Sequence, residues 1–257
     1  GIRSPIRLGT DVFTNGLLAK DKLDLLVKTL RKYQKNFIKN KIFMYEIVAT
    51  SAFRDTQNSE EARRYVENKI EHPIRIISGL EEAKLIRFHP KAQSRSSKVY
   101  VDVGGGSTEI YIYQNNKHII QSFQLGAVRG MLGKDDPEEW SRLKKWLRKQ
   151  PKTSTLVGLG GNIRSFLNLN NTKKMKSENF IKEITNLNSL DVGTKISAYK
   201  LQKDRADVID FALQIYIEII KILKVQEIKS TKWGVSDSIA VKTFHELYSK
   251  KISISRS

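Results

Sequence analysis

Cysteine is absent from the 257-residue sequence, which excludes disulfides, zinc–thiolate centres and a cysteine nucleophile. Histidine is scarce, and its four copies stand too far apart in sequence to have the spacing of a metal site: His72, His89, His118 and His245. Long apolar runs are missing as well, because none approaches the about 20 residues that cross a bilayer, and the first residues do not resemble a signal peptide. We therefore expect a cytoplasmic protein with no membrane partner.

Acidic residues are few relative to basic ones, with 27 Asp and Glu against 46 Lys and Arg and a formal net charge of +19. Such an excess favours a polyanionic partner, either nucleic acid, anionic lipid or a phosphate-rich substrate. A lysine-rich composition without any binding function gives the same balance, so charge alone does not choose among these. Because the sequence has no helix-turn-helix, zinc-finger or aromatic RNA-binding signature, we expect no specific nucleic-acid partner.

The most informative stretch is a pair of predicted strands with a glycine-rich turn between them. Val99–Val103 is a β-branched and aromatic run typical of a strand buried on both faces, and Ile110–Tyr113 starts a second strand. Successive glycines leave backbone N–H groups uncovered by any Cβ, so the turn predicts a nest for phosphate oxygens, to which two hydroxyls add donors. A purely structural glycine turn is the alternative. The predicted phosphate-binding residues are Gly104, Gly105, Gly106, Ser107 and Thr108.

Two carboxylates bracket this turn. Asp102 precedes the glycines, and Glu109 follows the hydroxyl residues. Carboxylates beside a phosphate usually hold a hydrated divalent cation or orient a water molecule. We therefore predict Mg²⁺ or another divalent cation as the cofactor, with Asp102 and Glu109 as its ligands.

A second glycine turn leads from an apolar strand that begins at Thr155 into a helical pattern. Its N–H groups and the dipole of the following helix would attract an anion. A tight strand-to-helix turn without a ligand is an equally simple interpretation. The predicted phosphate-binding residues here are Gly160, Gly161 and Asn162.

The remaining periodicity alternates strands and helices, which predicts a mixed sheet flanked by helices, and the chain length favours two domains. Before the glycine-rich hairpin we predict a loop over Arg7–Gly16 and a strand over Ile42–Phe53. Asn58 and Glu61 have capping-box spacing and open a predicted helix.

After the hairpin, Asp136 caps a basic amphipathic helix that ends near Lys149. Such a helix can lie on a membrane or grip nucleic acid, but we favour an ordinary helix that covers a sheet. Asn170–Lys200 is weakly patterned, and we predict a helix over Glu178–Leu187 and a mobile linker there. Asp204–Asp207 caps what we predict to be the longest helix of the chain, about Arg205 to Leu223.

Five segments, in order and spread over roughly residues 7 to 245, resemble the signature sequences of the exopolyphosphatase and guanosine pentaphosphate phosphohydrolase (Ppx/GppA) family. Any one of these segments is weak evidence for a resemblance, whereas five in the same order are specific evidence. They are Ala49–Arg54 with Asn58, Ile77–Ala83, Asp102–Glu109, Gly158–Gly161 and Asp204–Asp207.

The resemblance implies the two-domain α/β fold shared by actin, sugar kinases and heat-shock chaperone ATPases, with mixed sheets flanked by helices and the active site in the interdomain cleft. On this basis we predict a first domain over residues 1–97 and 243–257 and a second over 98–242. The resemblance also implies metal-assisted hydrolysis of a terminal phosphoanhydride in polyphosphate or guanosine pentaphosphate. A homodimer is a possible assembly.

The resemblance assigns three roles by position. Glu82 corresponds to the general base that activates water, Arg54 to a phosphate-binding arginine, and Gly104–Ser107 to the phosphate loop. Arg54 would neutralise charge on the transferred phosphoryl group, as arginines do in phosphoryl transfer. For the second catalytic carboxylate we predict Asp102, ahead of Glu109, in a role that either positions water or holds Mg²⁺.

The residues themselves support different roles for the two adjacent acids Glu81 and Glu82. Ser78 and Glu81 have capping-box spacing, so Glu81 is explained as a structural cap. Glu82 lies about 100° further round the helix, where it is left to face a cleft. The helix N-terminus favours an ionised carboxylate, as a general base requires.

The sequence departs from the family pattern in two places. Asn162 stands where the family has threonine, and an amide can still donate. The family also begins with a strand and a first phosphate loop of the type Asp-x-Gly-Ser-Asn, which this sequence lacks. Because it starts at Gly1 instead of methionine, we expect the purified protein to have a mass well above 29.5 kDa.

Two rival functions stay open at this point. One is an ATP-dependent kinase or ATPase of the same fold, although no separate sugar-binding motif is evident. The other is a catalytically inactive sensor of polyphosphate or alarmone, which gains weight if the first phosphate loop is truly absent. The sequence resembles a short two-domain member of the family, which makes short substrates and nucleotide alarmones more plausible than long-chain polyphosphate.

Overall fold

The computed structural model describes residues 2–94 and 97–254, with side chains up to Tyr248. The chain divides into two compact units. Unit 1 comprises Gly1–Ser78 and Leu132–Lys134, and unit 2 comprises Gly79–Met131 and Asp135–Ser257. The division thus falls at Ser78 and not at residue 97 as we predicted, and the C-terminal helix belongs to unit 2 and not to the first domain.

Unit 1 is built from four helices and a small parallel sheet. Amphipathic α2 buries Leu23 and Val27 and packs on α4. The elements are α1 (Leu8–Asn15), α2 (Lys20–Lys39), β1 (Ile47–Ala49), α3 (Ser51–Arg54), α4 (Ser59–Ile70) and β2 (Ile74–Ile76), and β1 pairs with β2 in parallel.

Two predictions for unit 1 are wrong. The predicted loop over Arg7–Gly16 contains α1, which is stabilised by burial of Val12 and Phe13 and ends at Gly16 with φ 77°. The predicted strand over Ile42–Phe53 is reduced to β1, because the chain turns into α3 at Ser51. Both misses concern elements of eight residues or fewer, where tertiary burial outweighs local pattern.

Asn58 does not cap α4 with its side chain, contrary to the predicted capping box. Its amide group pairs with the main chain of Leu18. The Leu18 N–H donates to Asn58 Oδ1 over 3.0 Å, and Asn58 Nδ2 donates to the Leu18 carbonyl over 3.0 Å. The side chain therefore joins α4 to the segment between α1 and α2.

Unit 2 is organised on a six-stranded mixed sheet in the order β5-β4-β3-β6-β8-β7. β3, β6 and β8 are parallel, while β4, β5 and β7 are antiparallel to their neighbours. The strands are β3 (Lys98–Val103), β4 (Thr108–Gln114), β5 (Lys117–Phe123), β6 (Thr155–Leu159), β7 (Lys174–Lys176) and β8 (Glu227–Ser230).

The helices of unit 2 begin with α5 (Gly79–Leu85), which a 3₁₀ turn at Ile86–Phe88 extends. None of the described helices is long and apolar enough to cross a membrane. The others are α6 (Ala127–Met131), α7 (Pro137–Arg148), α8 (Gly161–Leu169), α9 (Ser177–Asn188), α10 (Val192–Ser197), α11 (Lys203–Ala206), α12 (Ile209–Leu223) and α13 (Val235–Ile254).

The alternation of residues in β3 separates two cores. Val99, Val101 and Val103 enter the larger core, which α7, α8, α9 and α12 complete, whereas Tyr100 enters a smaller one on the opposite face of the sheet. The predicted fold class, α/β with a mixed sheet flanked by helices, is confirmed.

Several predictions for unit 2 need comment. Asp136 caps α7 as predicted, since its side chain accepts a bond from the Glu138 N–H, and α7 covers the sheet through Leu143 and Leu147. The helix predicted over Glu178–Leu187 is confirmed as α9, whereas β7 and α10 occupy the stretches predicted as a mobile linker, and β8 was missed.

The predicted helix over Arg205 to Leu223 is broken, because α11 ends at Ala206 and α12 begins at Ile209. At 15 residues α12 is also not the longest helix, since α2 and α13 have 20 each. Its burial between layers is confirmed by a core face that includes Ile215, Tyr216 and Ile219.

Candidate active site

The first glycine turn, residues 104–107, joins β3 to β4 at the end of the central hairpin. It is closed by a bond of 2.9 Å from the Gly104 N–H to the Ser107 carbonyl. The first turn of α6 then takes up the carbonyl groups of the glycines. The Ala127 N–H donates to Gly104 O over 2.9 Å, and the Val128 N–H donates to Gly105 O over 2.8 Å.

Arg129 completes this contact between α6 and the turn. Its backbone N–H donates to Gly105 O over 3.0 Å, and its Nε donates to Gly106 O over 3.1 Å. The close approach requires glycine at residue 126, where a Cβ would lie 2.5 Å from Gly105 O. All three glycine carbonyls are therefore engaged by α6.

The backbone N–H groups of Gly105 and Gly106 belong to the peptides whose carbonyls bond to α6, and they point away from α6. Within the described part of the chain, neither N–H donates to a carbonyl or a side chain. Adjacent unpaired N–H groups of this kind form an anion-binding concavity. The turn thus has the donor arrangement that we predicted for a phosphate loop.

Three carboxylates lie beside this turn. Asp102 on β3 and Glu109 on β4 are direct partners across the hairpin, and Glu82 comes from α5, which packs on β4 and β5. Glu109 is 2% exposed and Glu82 is 8% exposed, whereas Asp102 is partly exposed. The sequence prediction that Asp102, Glu109 and Glu82 act together therefore has a geometric basis within unit 2.

The environment of these acids disfavours negative charge. Burial raises the pKa of Asp102 to about 6, against the opposing pull of the Arg164 guanidinium. Burial also raises the pKa of Glu109 well above its ordinary value, and the charges of Glu82 and Asp102 raise it further. Because each charge penalises the others, the cluster favours either a shared proton or a bound cation.

Three side chains predicted to bind phosphate have internal partners instead. The Ser107 hydroxyl is hydrogen-bonded to the Glu109 carboxylate, and the Thr108 hydroxyl, fully buried, donates to the Leu125 carbonyl over 2.7 Å. Asn162 donates its amide to the Val103 carbonyl over 2.9 Å. These hydroxyl and amide groups bond within the fold, and their predicted role in phosphate binding stays a prediction.

The second glycine turn lies where β6 passes into α8. Leu159 is the register partner of Asp102, and Gly160 follows it with φ 78°. A Cβ at residue 160 would lie 2.7 Å from Asp102 Oδ1. The turn is therefore adjacent to the Asp102 carboxylate, and phosphate binding by Gly160 and Gly161 remains a prediction.

Arg54 belongs to unit 1, at the end of α3. Its Nη1 donates to the Ile77 carbonyl over 2.9 Å, and its Nε lies 3.4 Å from Asp55 Oδ1. These contacts fix the stem and orientation of the guanidinium. Its predicted role in phosphoryl transfer is not tested by them.

Among the described residues, no group of three or more Asp, Glu or His side chains is arranged to hold a metal ion. The predicted ligand pair, Asp102 and Glu109, is smaller than such a group and stays a prediction. Glu109 accepts bonds from two hydroxyls, including that of Ser122 over 2.9 Å, so Asp102 is the more available ligand of the two.

Sequence reasoning missed several residues that shape the site. Ser122 is the register partner of Glu109 on β5, which the hairpin register would have shown. Arg205 was interpreted as part of a helix cap and of a family signature segment, with no role in the site. Arg129 and Arg164 gave no signal, because their contact with the turn and their effect on Asp102 depend on how α6 and α8 dock on the sheet.

Comparison with known proteins shows which family has this sequence pattern. The sequence pattern of the Ppx/GppA phosphatase family matches residues 2–247. A bifunctional 3-dehydroquinate synthase/phosphatase of Fusobacterium nucleatum is 26% identical over 220 residues, which cover 76% of this chain and 32% of that protein. The chain thus spans about a third of the length of this curated relative.

Solved structures show the same fold. The Ppx/GppA family member of Aquifex aeolicus superposes with a TM-score of 0.73 at 24% identity, over 94% of this chain and 87% of that one. An exopolyphosphatase from Cytophaga hutchinsonii superposes with a TM-score of 0.82 at 18% identity, over 94% and 88% of the two chains. Because the family pattern extends over nearly all of the sequence, the chain belongs to the Ppx/GppA phosphatase family.

Proposed function

We propose that the chain is a phosphohydrolase that releases terminal phosphate from inorganic polyphosphate, guanosine pentaphosphate or both. The observation that carries this proposal is the position of two unpaired loop N–H groups, on Gly105 and Gly106, beside the carboxylates of Asp102, Glu109 and Glu82. The N–H groups suit the oxygens of a terminal phosphate, and the carboxylates suit the activation of water. Membership in a phosphatase family supports the same reaction class.

In the proposed reaction Glu82 takes a proton from the attacking water, which displaces the remainder of the chain or nucleotide in line. The N–H groups of Gly105 and Gly106 stabilise the charge on the transferred phosphoryl group. Arg54 adds positive charge by its family position. Asp102 orients the water or the cation.

The two carboxylates of Asp102 and Glu109 suit Mg²⁺. Mg²⁺ keeps much of its hydration and takes one or two carboxylates together with substrate phosphates, so it does not require a cage of protein ligands. Crowding of Asp102, Glu109 and Glu82 is relieved by a cation, and Asp102 with Glu109 would hold it. When bound, it supplies neutralising charge to the phosphoryl oxygens.

The test is phosphate release by the full chain from polyphosphate, guanosine pentaphosphate and ATP, each with and without Mg²⁺. Glu82→Gln removes the proposed base, and Glu81→Gln is the matched control on the same helix turn. We expect release from one of the first two substrates to fall by about 100-fold or more in Glu82→Gln, in the range that general-base catalysis contributes. The control is expected to retain activity.

Three outcomes contradict the proposal. Faster turnover of ATP than of polyphosphate and guanosine pentaphosphate indicates a kinase or ATPase. Equal losses of activity in Glu82→Gln and Glu81→Gln show that Glu82 is not the base. Absence of release from every substrate, with tight polyphosphate or alarmone binding retained, indicates a sensor.

A further inference from the structure

The segment Asp204–Asp207 has no role in the reaction proposed above, yet one of its residues reaches the site. Arg205 lies in α11, and its Nη1 donates to Asn162 Oδ1 in the first turn of α8. A Cβ at residue 161 would lie 2.5 Å from Arg205 Nη2. The guanidinium therefore lies directly on the second glycine turn.

Asn162 continues this connection to β3. Its side chain is 4% exposed, and its Nδ2 donates to the Val103 carbonyl over 2.9 Å. Val103 immediately precedes Gly104, the first residue of the phosphate loop. One buried amide therefore joins the first glycine turn to the second, and Arg205 holds that amide from the other end.

The second glycine turn is also in contact with the catalytic carboxylate. Gly160 follows the register partner of Asp102, and its Cα lies so close to Asp102 Oδ1 that a Cβ would be at 2.7 Å. A displacement of this turn therefore changes the space that the Asp102 carboxylate occupies.

We propose that Arg205 is a positioning residue for the reaction, which acts through Asn162 to hold the second glycine turn against Asp102. The inference rests on the proposed function. Arginine suits the task because its planar fork contacts the Asn162 amide with one nitrogen and covers Gly161 with the other.

The kinetic consequence follows from how the two turns are held. α6 holds the carbonyls of Gly104, Gly105 and Gly106 independently of Arg205, so the N–H groups that bind phosphate in the ground state stay in place. Loss of the Arg205–Asn162 bond disturbs Asp102 instead. We expect kcat to fall by about tenfold or more while KM changes by less than about threefold.

The experiment compares Arg205→Gln, Asn162→Ala and the double variant in phosphate release from short-chain polyphosphate. Because both residues act through one connection, the double variant is expected to lose no more than the worse single variant. Arg142→Gln and Asn170→Ala are matched controls in α7 and at the end of α8, and they are expected to retain kcat.

Arg205→Lys separates charge from geometry. It keeps the positive charge and loses the fork, so its kcat is expected to stay within about threefold of that of Arg205→Gln. If Arg205→Lys had the kcat of the wild type, the positive charge alone would explain the effect of Arg205, and the positioning role would be overturned. Additive losses in the double variant, or losses in KM alone, would overturn it as well.

A second measurement does not depend on activity. Hydrogen–deuterium exchange of peptides that cover residues 159–163 is expected to be faster in Arg205→Gln and Asn162→Ala, but unchanged in the two controls. If the wild-type chain releases no phosphate, the proposed function fails, and this comparison still decides whether Arg205 holds the turn. Because Arg205 is partly exposed, its variant is expected to fold even if Asn162→Ala does not.

Discussion

Gly160 lies directly against the carboxylate of Asp102, since a Cβ at residue 160 would be 2.7 Å from Asp102 Oδ1. Gly160 also has φ 78°, a conformation that other residues adopt at a cost of about 1–3 kcal/mol. Gly160→Ala therefore combines backbone strain with a clash against the carboxylate that we propose to act in catalysis. We expect it to lower both the free energy of unfolding and kcat.

Gly133→Ala is the control for Gly160→Ala, because Gly133 has φ 64° and nothing within 4 Å of its would-be Cβ. It is expected to cost about 1 kcal/mol of stability from strain alone and to leave kcat unchanged. Urea unfolding and phosphate release measure both effects. Equal behaviour of the two variants would show that the contact with Asp102 has no consequence.

Gly126→Ala separates α6 from the phosphate loop. The new Cβ would lie 2.5 Å from Gly105 O, so either the loop or α6 must shift. We expect KM for polyphosphate to rise by about tenfold, because a displaced loop no longer aims both the Gly105 and Gly106 N–H groups at the phosphate oxygens, which weakens two charge-assisted bonds. Gly193→Ala in α10 is the control and should leave KM unchanged; its Cβ faces only the side chain of Asp191.

Thr108→Val tests whether the Thr108 hydroxyl belongs to the fold or to the substrate site. The substitution leaves the Leu125 carbonyl without its donor, which we expect to cost about 1–2 kcal/mol in urea unfolding. KM is expected to stay within about twofold. A rise in KM without loss of stability would assign the hydroxyl to phosphate instead.

Thr153→Val is the matched control for Thr108→Val. Thr153 is 3% exposed, and its hydroxyl has no hydrogen-bond partner among the residues that the structure describes. Replacing it removes a buried polar group that makes no bond. The variant is therefore expected to be as stable as wild type or more so.

The raised pKa of Asp102 makes stability depend on pH. An unfolded aspartate releases its proton near its ordinary pKa of 3.8, whereas in the folded protein Asp102 keeps it until about pH 6. Within this window the folded state binds more protons, so the stability of the wild type falls as pH rises. Asp102→Asn does not titrate, so its stability relative to wild type should rise by up to roughly 3 kcal/mol between pH 3.8 and pH 7.

Asp191→Asn is the control of opposite sign for this experiment. Bonds from the Thr194 hydroxyl and backbone N–H lower the pKa of Asp191, so its contribution to stability is lost as pH falls. Asp191→Asn should therefore lose stability relative to wild type as pH rises. If the two variants show the same sign, the assignment of the raised pKa to Asp102 is wrong. Denaturant unfolding measures the effect of Asp102→Asn between about pH 3.8 and pH 7, and that of Asp191→Asn below the ordinary aspartate pKa of 3.8.

The parts of the fold that could be predicted are those in which local pattern and burial agree. The central hairpin consists of two β-branched and aromatic runs on either side of a glycine turn, so its strands could be predicted from the sequence. β8 was missed because it is four residues long and buries only Ile228. The break at Asp207–Val208 carries neither proline nor glycine, so local sequence gave no sign of it.

In the site, sequence reasoning located the loop but not the partners of its side chains. The glycines are consecutive, and their exposure of N–H groups needs no tertiary information. The acceptor for Thr108 is Leu125, and the acceptor for Asn162 is Val103, 59 residues away. Such partners depend on the docking of distant elements, so the sequence alone did not show that these polar side chains also bond within the fold.

The paired bonds between Asn58 and Leu18 restrict what residue 58 can be. Among side chains of this length, only that of asparagine carries a donor and an acceptor in one planar amide, as a peptide group does. Aspartate would set a negative charge against the Leu18 carbonyl, glutamine would be one carbon too long, and serine would make one bond in place of two. The Asn58 amide thus pairs with the Leu18 main chain as a peptide group of a neighbouring strand would, and it joins two segments that are distant in sequence. This structural contact accounts for Asn58 in the family signature without any contact to phosphate.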